Sequence, residues 1–251
     1  VASTFAGSAD MAIGNIVGSN IFNVLFVLGI CALFAPVLFT KENIRIDIPI
    51  CLAVSIALFA MLFNNNLSRI EGIALLLCYI AIIIYSIRSG KQSDEEVEID
   101  ENFSWFKSIV MLALGFVGLI YGADLTLDSA VAIARDLGVS ERVIAITLLA
   151  GGTSLPELAA SLVAILRGHG AMALGNVVGS SIANILLILG TCSTISPLLM
   201  NGITMIDLLV MIGAVVMLLL SALIFGQGKI IRSEGIVFLA AYAAYIWYLV
   251  G

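Results

Sequence analysis

Residues 12–38 read AIGNIVGSNIFNVLFVLGICALFAPVL, and residues 173–199 read ALGNVVGSSIANILLILGTCSTISPLL. Aligned without a gap, the two stretches agree at 14 of 27 positions. The agreement is not confined to apolar filler. Gly14, Asn15, Gly18, Ser19, Asn23 and Pro36 return as Gly175, Asn176, Gly179, Ser180, Asn184 and Pro197. Self-similarity at a fixed spacing sets the architecture of a chain. A polar pattern kept twice in apolar surroundings points to one site assembled from two halves.

The surroundings are apolar throughout. The 251 residues are 61% hydrophobic and 11% charged, with a mean hydropathy of +1.17. A soluble domain carries roughly 25% charged residues. Runs of about 20 apolar residues cross a hydrocarbon layer about 30 Å thick, and helices close their backbone hydrogen bonds internally there. The expectation is an all-α polytopic membrane protein with spans near 10–35, 47–64, 70–87, 107–133, 139–166, 170–195, 204–225 and 233–250. Residues 1–8 read as the end of a further helix, giving about eight full helices plus the end of a ninth. The net charge of −6 comes largely from the cluster Asp94–Glu101, and no basic patch suggests nucleic acid. Cys31, Cys51, Cys78 and Cys192 are scattered through apolar segments without metal-ligand spacing, which fits packing.

Charge sets orientation. Lys41, Arg45, Arg88, Lys91, Lys107, Arg167, Lys229 and Arg232 fall on one side of the spans, and Arg69, Arg135 and Arg142 on the other. The positive-inside bias makes the first side cytoplasmic. The acidic loop is then cytoplasmic and the C-terminus lies on the outer face of the cell membrane. Residues 12–35 run inward and 173–195 outward, so the copies are inverted. A second anchor agrees: Arg69-Ile70-Glu71-Gly72-Ile73 returns as Arg232-Ser233-Glu234-Gly235-Ile236. The division is a first half over 1–88, an acidic loop over 89–106 and a second half over 107–251. Inverted repeats are a common plan of secondary transporters, with ion sites at the midplane between the halves.

The sharpest local motif is Ala150-Gly151-Gly152-Thr153-Ser154-Leu155-Pro156-Glu157-Leu158. Pro156 lacks an N–H, and its ring crowds the carbonyl four residues back. A kinked or broken helix is expected, with carbonyls turned out of the ladder. Helical spacing would set Thr153, Ser154 and Glu157 on one face. An acidic side chain at membrane depth costs about 2.5–3.5 kcal/mol on insertion scales and marks a functional site by default. No Lys or Arg lies at similar depth, so a bound cation is the natural counter-charge. Asn176, Ser180 and Asn184 form one i, i+4 stripe, and Asn15, Ser19 and Asn23 its repeat. These oxygen donors suit hard cations such as Ca²⁺ and Na⁺. Gly14, Gly18, Gly175 and Gly179 read as a small-residue face for close helix approach.

Taken together, GGTSLPEL, ALGNVVGSSIAN and AIGNIVGSNIFN resemble the two α-repeats of the sodium/calcium exchanger family, in the cation/calcium antiporter superfamily. The resemblance covers essentially the whole chain and is nearer to prokaryotic members, since the central loop is short. It implies a ten-helix exchanger fold of inverted five-helix repeats, exchanging Na⁺ for Ca²⁺ by alternating access. The first helix of each unit would slide over the core, and here the helix near 107–133 matches the second of these. The resemblance implies ligands at Thr153, Ser154, Glu157, Ser180 and Asn184 in the second half, and at Ser19 and Asn23 in the first. The backbone carbonyl of Ala150 matches a sodium ligand. No cofactor is implied. Ca²⁺ and Na⁺ are substrates, and the lipid bilayer is the setting. Residue 1 aligns with Leu162, so a first-half counterpart of GTSLPE is not among these residues. The expectation is an N-terminally truncated chain lacking roughly 55 residues of the repeat plan, whose N-terminal helices are needed to complete the site. Some relatives carry Asp where Asn184 stands.

Three other readings compete. A proton/calcium antiporter of the same superfamily would use the same acids. The Gly-Ser pairs in GNIVGSN and GNVVGSS favour the sodium type. A non-transporting fragment is the second. An intramembrane hydrolase with Ser154 as nucleophile needs a base within reach, and the single histidine, His169, lies in a turn. Asp124 and Asp128 read as acids at a wet helix end, His169 as a surface residue, and Asp94–Glu101 as a solvated linker whose spacing fits no EF-hand.

Overall fold

In the computed structural model, residues 10–88, 105–138, 150–200, 203–225 and 228–250 are described. Residues 1–8, the acidic loop over 89–104 and the expected helical start at 139–149 lie outside them. The described chain is helical apart from four two-residue strands and the short turns between elements. In order it forms α1 (10–34), β1 (Val37–Leu38), α2 (43–64), β2 (Asn66–Leu67), α3 (Arg69–Arg88) and α4 (Trp105–Asp136). A helical turn at Ala150–Gly152 follows, then α5 (Leu155–Leu166), α6 (Gly170–Ile195), β3 (Leu198–Leu199), α7 (205–225), β4 (Lys229–Ile230) and α8 (Arg232–Val250). Six of these helices are long and apolar enough to cross a membrane. The protein is an all-α polytopic membrane protein.

The short strands reveal how the halves are related. β1 pairs antiparallel with β4, Val37 opposite Ile230, and β2 pairs antiparallel with β3, Asn66 opposite Leu199. In repeat terms β1 matches β3 and β2 matches β4, so each half pairs its strands only with the other half. α2 is 22 residues long, about 33 Å of helix, and joins β1 to β2. The two ribbons therefore lie at opposite ends of the bundle. α1 ends at one ribbon and α6 at the other, so the repeated helices run in opposite senses. This is the inversion expected from the charge pattern.

Packing obeys the same exchange. The C-terminal part of α1 packs on α8, and the C-terminal part of α6 packs on α3. At the first crossing, a Cβ on Gly235 would meet the Cβ of Ala32 at 2.8 Å and the carbonyl of Gly29 at 2.9 Å. At the second, a Cβ on Gly72 would meet the Thr194 nitrogen at 2.8 Å and the Gly190 carbonyl at 3.0 Å. Gly29 and Gly190 are repeat mates, as are Gly72 and Gly235. Two positions of the repeated Arg-X-Glu-Gly-Ile anchor are thus explained in both copies. Its glycine admits the partner helix. Its glutamate caps the helix start: Glu71 Oε2 accepts from the Ser68 N–H at 2.7 Å, and Glu234 Oε2 from the Ile231 N–H at 2.9 Å. A carboxylate three residues into a helix satisfies an orphan donor there. Arg69 adds a bond to the carbonyl of Ile195 at 3.3 Å, a cation at the α6 C-terminus where the helix dipole favours it.

The expected close approach at Gly175 and Gly179 is not found: a Cβ at either would meet no described atom within 4 Å. Gly14 does face a neighbour, with the Ile203 side chain 3.0 Å from an added Cβ, and other close approaches fall at the four glycines above, at Gly151 and Gly152, and at Gly170, 3.0 Å from the Leu38 nitrogen. α1 is the most buried of the spans, whereas α4 buries none of its described side chains and touches α5 and the turn before it. The four buried or exposed cysteines are all free thiols, in line with packing.

Overfilling a well-packed crossing costs about 1–3 kcal/mol. Gly72→Ala and Gly235→Ala should each lower the melting temperature of detergent-solubilised protein by a comparable amount. Gly213→Ala, where nothing lies within 4 Å, should leave it unchanged or raise it, because alanine is the better helix former by about 1 kcal/mol.

Candidate functional site

The Gly-Gly-Thr-Ser-Leu-Pro-Glu motif breaks its helix as its proline demands. The helical turn stops at Gly152, Thr153 and Ser154 form a turn, and α5 restarts at Leu155 with Pro156 in its first turn. There the missing N–H costs nothing, since the first donors of a helix have no internal acceptor. The Ser154 N–H closes onto the Gly151 carbonyl at 3.0 Å, three residues back rather than four. That shift takes the Ser154 donor away from the Ala150 carbonyl. The three residues expected on one helical face straddle the break, with Thr153 and Ser154 in the turn and Glu157 three residues beyond Ser154 in α5. Thr153 is exposed, Ser154 is buried, and Glu157 is half-buried in the first turn of α5. A carboxylate in that position is favoured by the helix N-terminus. Gly151 and Gly152 leave room for neighbours: added Cβ atoms would meet the Phe22 ring at 2.9 Å and the Leu127 side chain at 2.6 Å.

The repeated stripes of α1 and α6 converge on this break. Ser19 Oγ and Thr153 Oγ1 share a hydrogen bond at 3.0 Å, and Thr153 Oγ1 also donates to Asn15 Oδ1 at 3.4 Å. Asn23 Nδ2 donates to Ser180 Oγ at 3.3 Å. Asn176 Nδ2 donates to the Glu157 carbonyl at 3.3 Å and to Ser161 Oγ at 2.9 Å. Asn184 Nδ2 donates to Asn20 Oδ1 at 3.0 Å. These bonds fall in four groups: Ser19–Thr153, Asn23–Ser180 and Asn184–Asn20 each join the first half to the second, and Asn176 with the Glu157 carbonyl and Ser161 lies within the second half. Both helices widen into π-helical turns at this level, Phe22–Val27 and Asn184–Leu189; such turns are frequent at functional sites.

Two acceptor atoms in this zone are buried with no hydrogen-bond partner among the described residues: Glu157 Oε2 and Asn23 Oδ1. A third such atom, Asn66 Oδ1, sits in the β2 strand. An unsatisfied buried acceptor costs about 1–3 kcal/mol, more if charged. The chemistry that relieves it is a donor or a cation. The zone offers hydroxyl, amide, carbonyl and carboxylate oxygens, the set that suits hard cations rather than zinc or copper.

Two residues escaped the sequence reading. Asn20 is mismatched in the repeat, where Ser181 stands opposite it, so an argument from repeated residues passes over it. Ser161 had a weak signal, a hydroxyl one helical turn beyond Glu157 in an apolar run.

A cation/calcium antiporter is the class that this inverted bundle and its oxygen-lined break define. Residues 1–88 and 107–251 match the family described as sodium/calcium exchanger protein, and the chain belongs to that family. It is similar to the sodium/calcium exchanger MaX1 of Methanosarcina acetivorans, with 28% identity over 98% of this chain and 82% of the relative. An uncharacterized membrane protein of Methanocaldococcus jannaschii, MJ0091, is 37% identical over 96% of this chain and 77% of its own length. Among solved structures, the sodium-calcium exchanger NCX_Mj soaked with Na⁺ and Sr²⁺ superposes with a TM-score of 0.80 at 34% identity, covering 97% of this chain and 78% of that one.

The repeat mates Asn176 and Asn15 are not equivalent here. Asn176→Ala strands the fully buried Ser161 hydroxyl and should cost about 1–3 kcal/mol. Asn15→Ala, at an exposed position with a longer bond, should cost no more than about 0.5 kcal/mol. Melting of the two purified variants compares them; equal losses would contradict the geometry.

Proposed function

We propose that the protein exchanges Na⁺ for Ca²⁺ across the cell membrane by alternating access, with both ions bound at the break between α1, α5 and α6. The observation that carries this reading is the pair of buried, unpartnered oxygens, Glu157 Oε2 and Asn23 Oδ1. The ligand set is Glu157, Thr153, Ser154, Ser180, Asn184, Ser19 and Asn23, with the carbonyl of Ala150. Ser19, Thr153, Asn23 and Ser180 support it by their mutual hydrogen bonds. The Ala150 carbonyl supports it by losing its helical donor at the break.

Competition for shared oxygens is enough to couple the two flows. Ca²⁺ brings two charges to the acidic centre, and Na⁺ ions bring theirs to overlapping oxygens. Neither cation set binds while the other is present, so each crossing carries one set. The names of MaX1 and NCX_Mj favour sodium as the coupling ion. In this reading 1–88 and 107–251 act as the two halves, α4 is the element that slides, the loop over 89–106 is cytoplasmic, and the C-terminus faces outward. The end of the bundle holding the β1–β4 ribbon, with Lys41, Arg45, Lys229 and Arg232, is then the cytoplasmic end.

The test is calcium uptake into vesicles holding the purified protein. With an outward sodium gradient and pH clamped, the wild type should accumulate Ca²⁺, and Glu157→Gln should lower the rate by at least about 100-fold, as removal of a charged ligand implies. Uptake driven by a proton gradient without sodium would establish proton coupling instead. Wild-type uptake by Glu157→Gln would remove that carboxylate from the site.

A further inference from the structure

Asn20 is 2% exposed and lies where the two repeats differ. Its Nδ2 donates to the backbone carbonyl of Ser181 at 3.1 Å and approaches Met211 Sδ at 3.9 Å. Its Oδ1 accepts from Asn184 Nδ2 at 3.0 Å. The direction of each bond follows from chemistry rather than from how an amide is drawn. A backbone carbonyl can only accept, so Asn20 must turn its NH₂ to Ser181. The amide oxygen that remains can also only accept, so Asn184 must turn its NH₂ to Asn20. Nitrogen and oxygen occupy opposite corners of a planar amide. The Oδ1 of Asn184 is therefore directed away from Asn20.

Resting on the cation-site reading above, we propose that Asn20 is a positioning residue that locks the amide of Asn184 with its carbonyl oxygen as the cation-facing atom. A reversed Asn184 amide would bring oxygen against oxygen and lose the bond. A carboxylate at position 184 has no donor and would meet the same acceptor, so Asn20 also selects an amide there and keeps the centre one negative charge lower. The first-half partner is held differently. Asn23 Nδ2 bonds to Ser180 Oγ at 3.3 Å, and Ser180 Oγ in turn donates to the Val177 carbonyl at 3.1 Å. Both asparagines thus turn their donors across the repeat interface onto a side chain that is itself bonded to a backbone carbonyl, Asn20 being buried and Ser180 half-buried.

Outer-shell residues that orient a metal ligand typically cost 10–100-fold in affinity when removed. Asn20→Leu and Asn184→Leu, singly and together, are compared by sodium-driven ⁴⁵Ca²⁺ uptake in proteoliposomes. Asn20→Leu should raise the KM for Ca²⁺ by about 10–100-fold with a maximal rate within about threefold of wild type. The double variant should be no worse than Asn184→Leu alone, since coupled residues are not additive. Asn20→Ser, which carries the residue of the other repeat, serves where the leucine variant does not fold, with the same expected direction. Wild-type KM in the Asn20 variants beside a raised KM in Asn184→Leu overturns the positioning role and leaves the cation site standing. Multiplying effects in the double variant also overturn it. Wild-type KM in Asn184→Leu removes Asn184 from the cation site itself.

Discussion

Inside a membrane no water is at hand to satisfy a polar side chain, so each donor on a buried stripe has to find its acceptor within the protein. That constraint organises the centre of this bundle. The donors of Asn20, Asn23 and Asn184 all reach across the repeat interface, to the Ser181 carbonyl, Ser180 Oγ and Asn20 Oδ1. With these bonds each NH₂ is turned to the other half, and oxygens are left over. Glu157 Oε2 and Asn23 Oδ1 are buried without partners. A surplus of acceptors at low dielectric is an unfavourable state for a protein alone and a favourable one for a hard cation, whose charge and oxygen preference meet both needs.

Reciprocal packing holds that centre in place. Each half closes its ribbons and its glycine crossings on the other half, so neither can be displaced without opening both. Gly72 against Gly190 and Gly235 against Gly29 bring backbones together where a single methyl group would collide. Approach this close is how helices associate without a hydrophobic drive between them. By contrast α4 buries no described side chain. A rigid crossed frame beside a lightly held helix is an arrangement in which one part can move without dismantling the other.

The frame is symmetric, but its hydrogen bonding is not. Asn176 supports the Glu157 backbone and a buried hydroxyl, while its mate Asn15 makes one longer bond at an exposed position. Asn20 and Ser181 occupy matching places and do different work, one as a side-chain relay and the other through its backbone carbonyl. Two copies of a segment that diverge at single positions can keep a common fold while assigning different atoms to the bound ion.

Much of this was legible in the amino-acid order. Hydropathy located the spans, because a helix must be apolar for about 20 residues to cross. The 12–38 and 173–199 repeat, with its Arg-X-Glu-Gly-Ile companion, gave the inverted plan, and Pro156 gave the helix break. The residue types at Thr153, Glu157, Ser180 and Asn184 raised the expectation of a hard-cation site, since oxygen donors beside an acid suit such an ion. Tertiary structure alone decided which donors meet which acceptors. It set Thr153 and Ser154 in the turn before α5, left Gly175 and Gly179 uncrowded, and brought in Asn20 and Ser161. The physical reason is that repetition and periodicity report features shared by a helix face or by two copies. A hydrogen bond is a relation between two particular atoms, and here those atoms lie more than 100 residues apart on opposed helices.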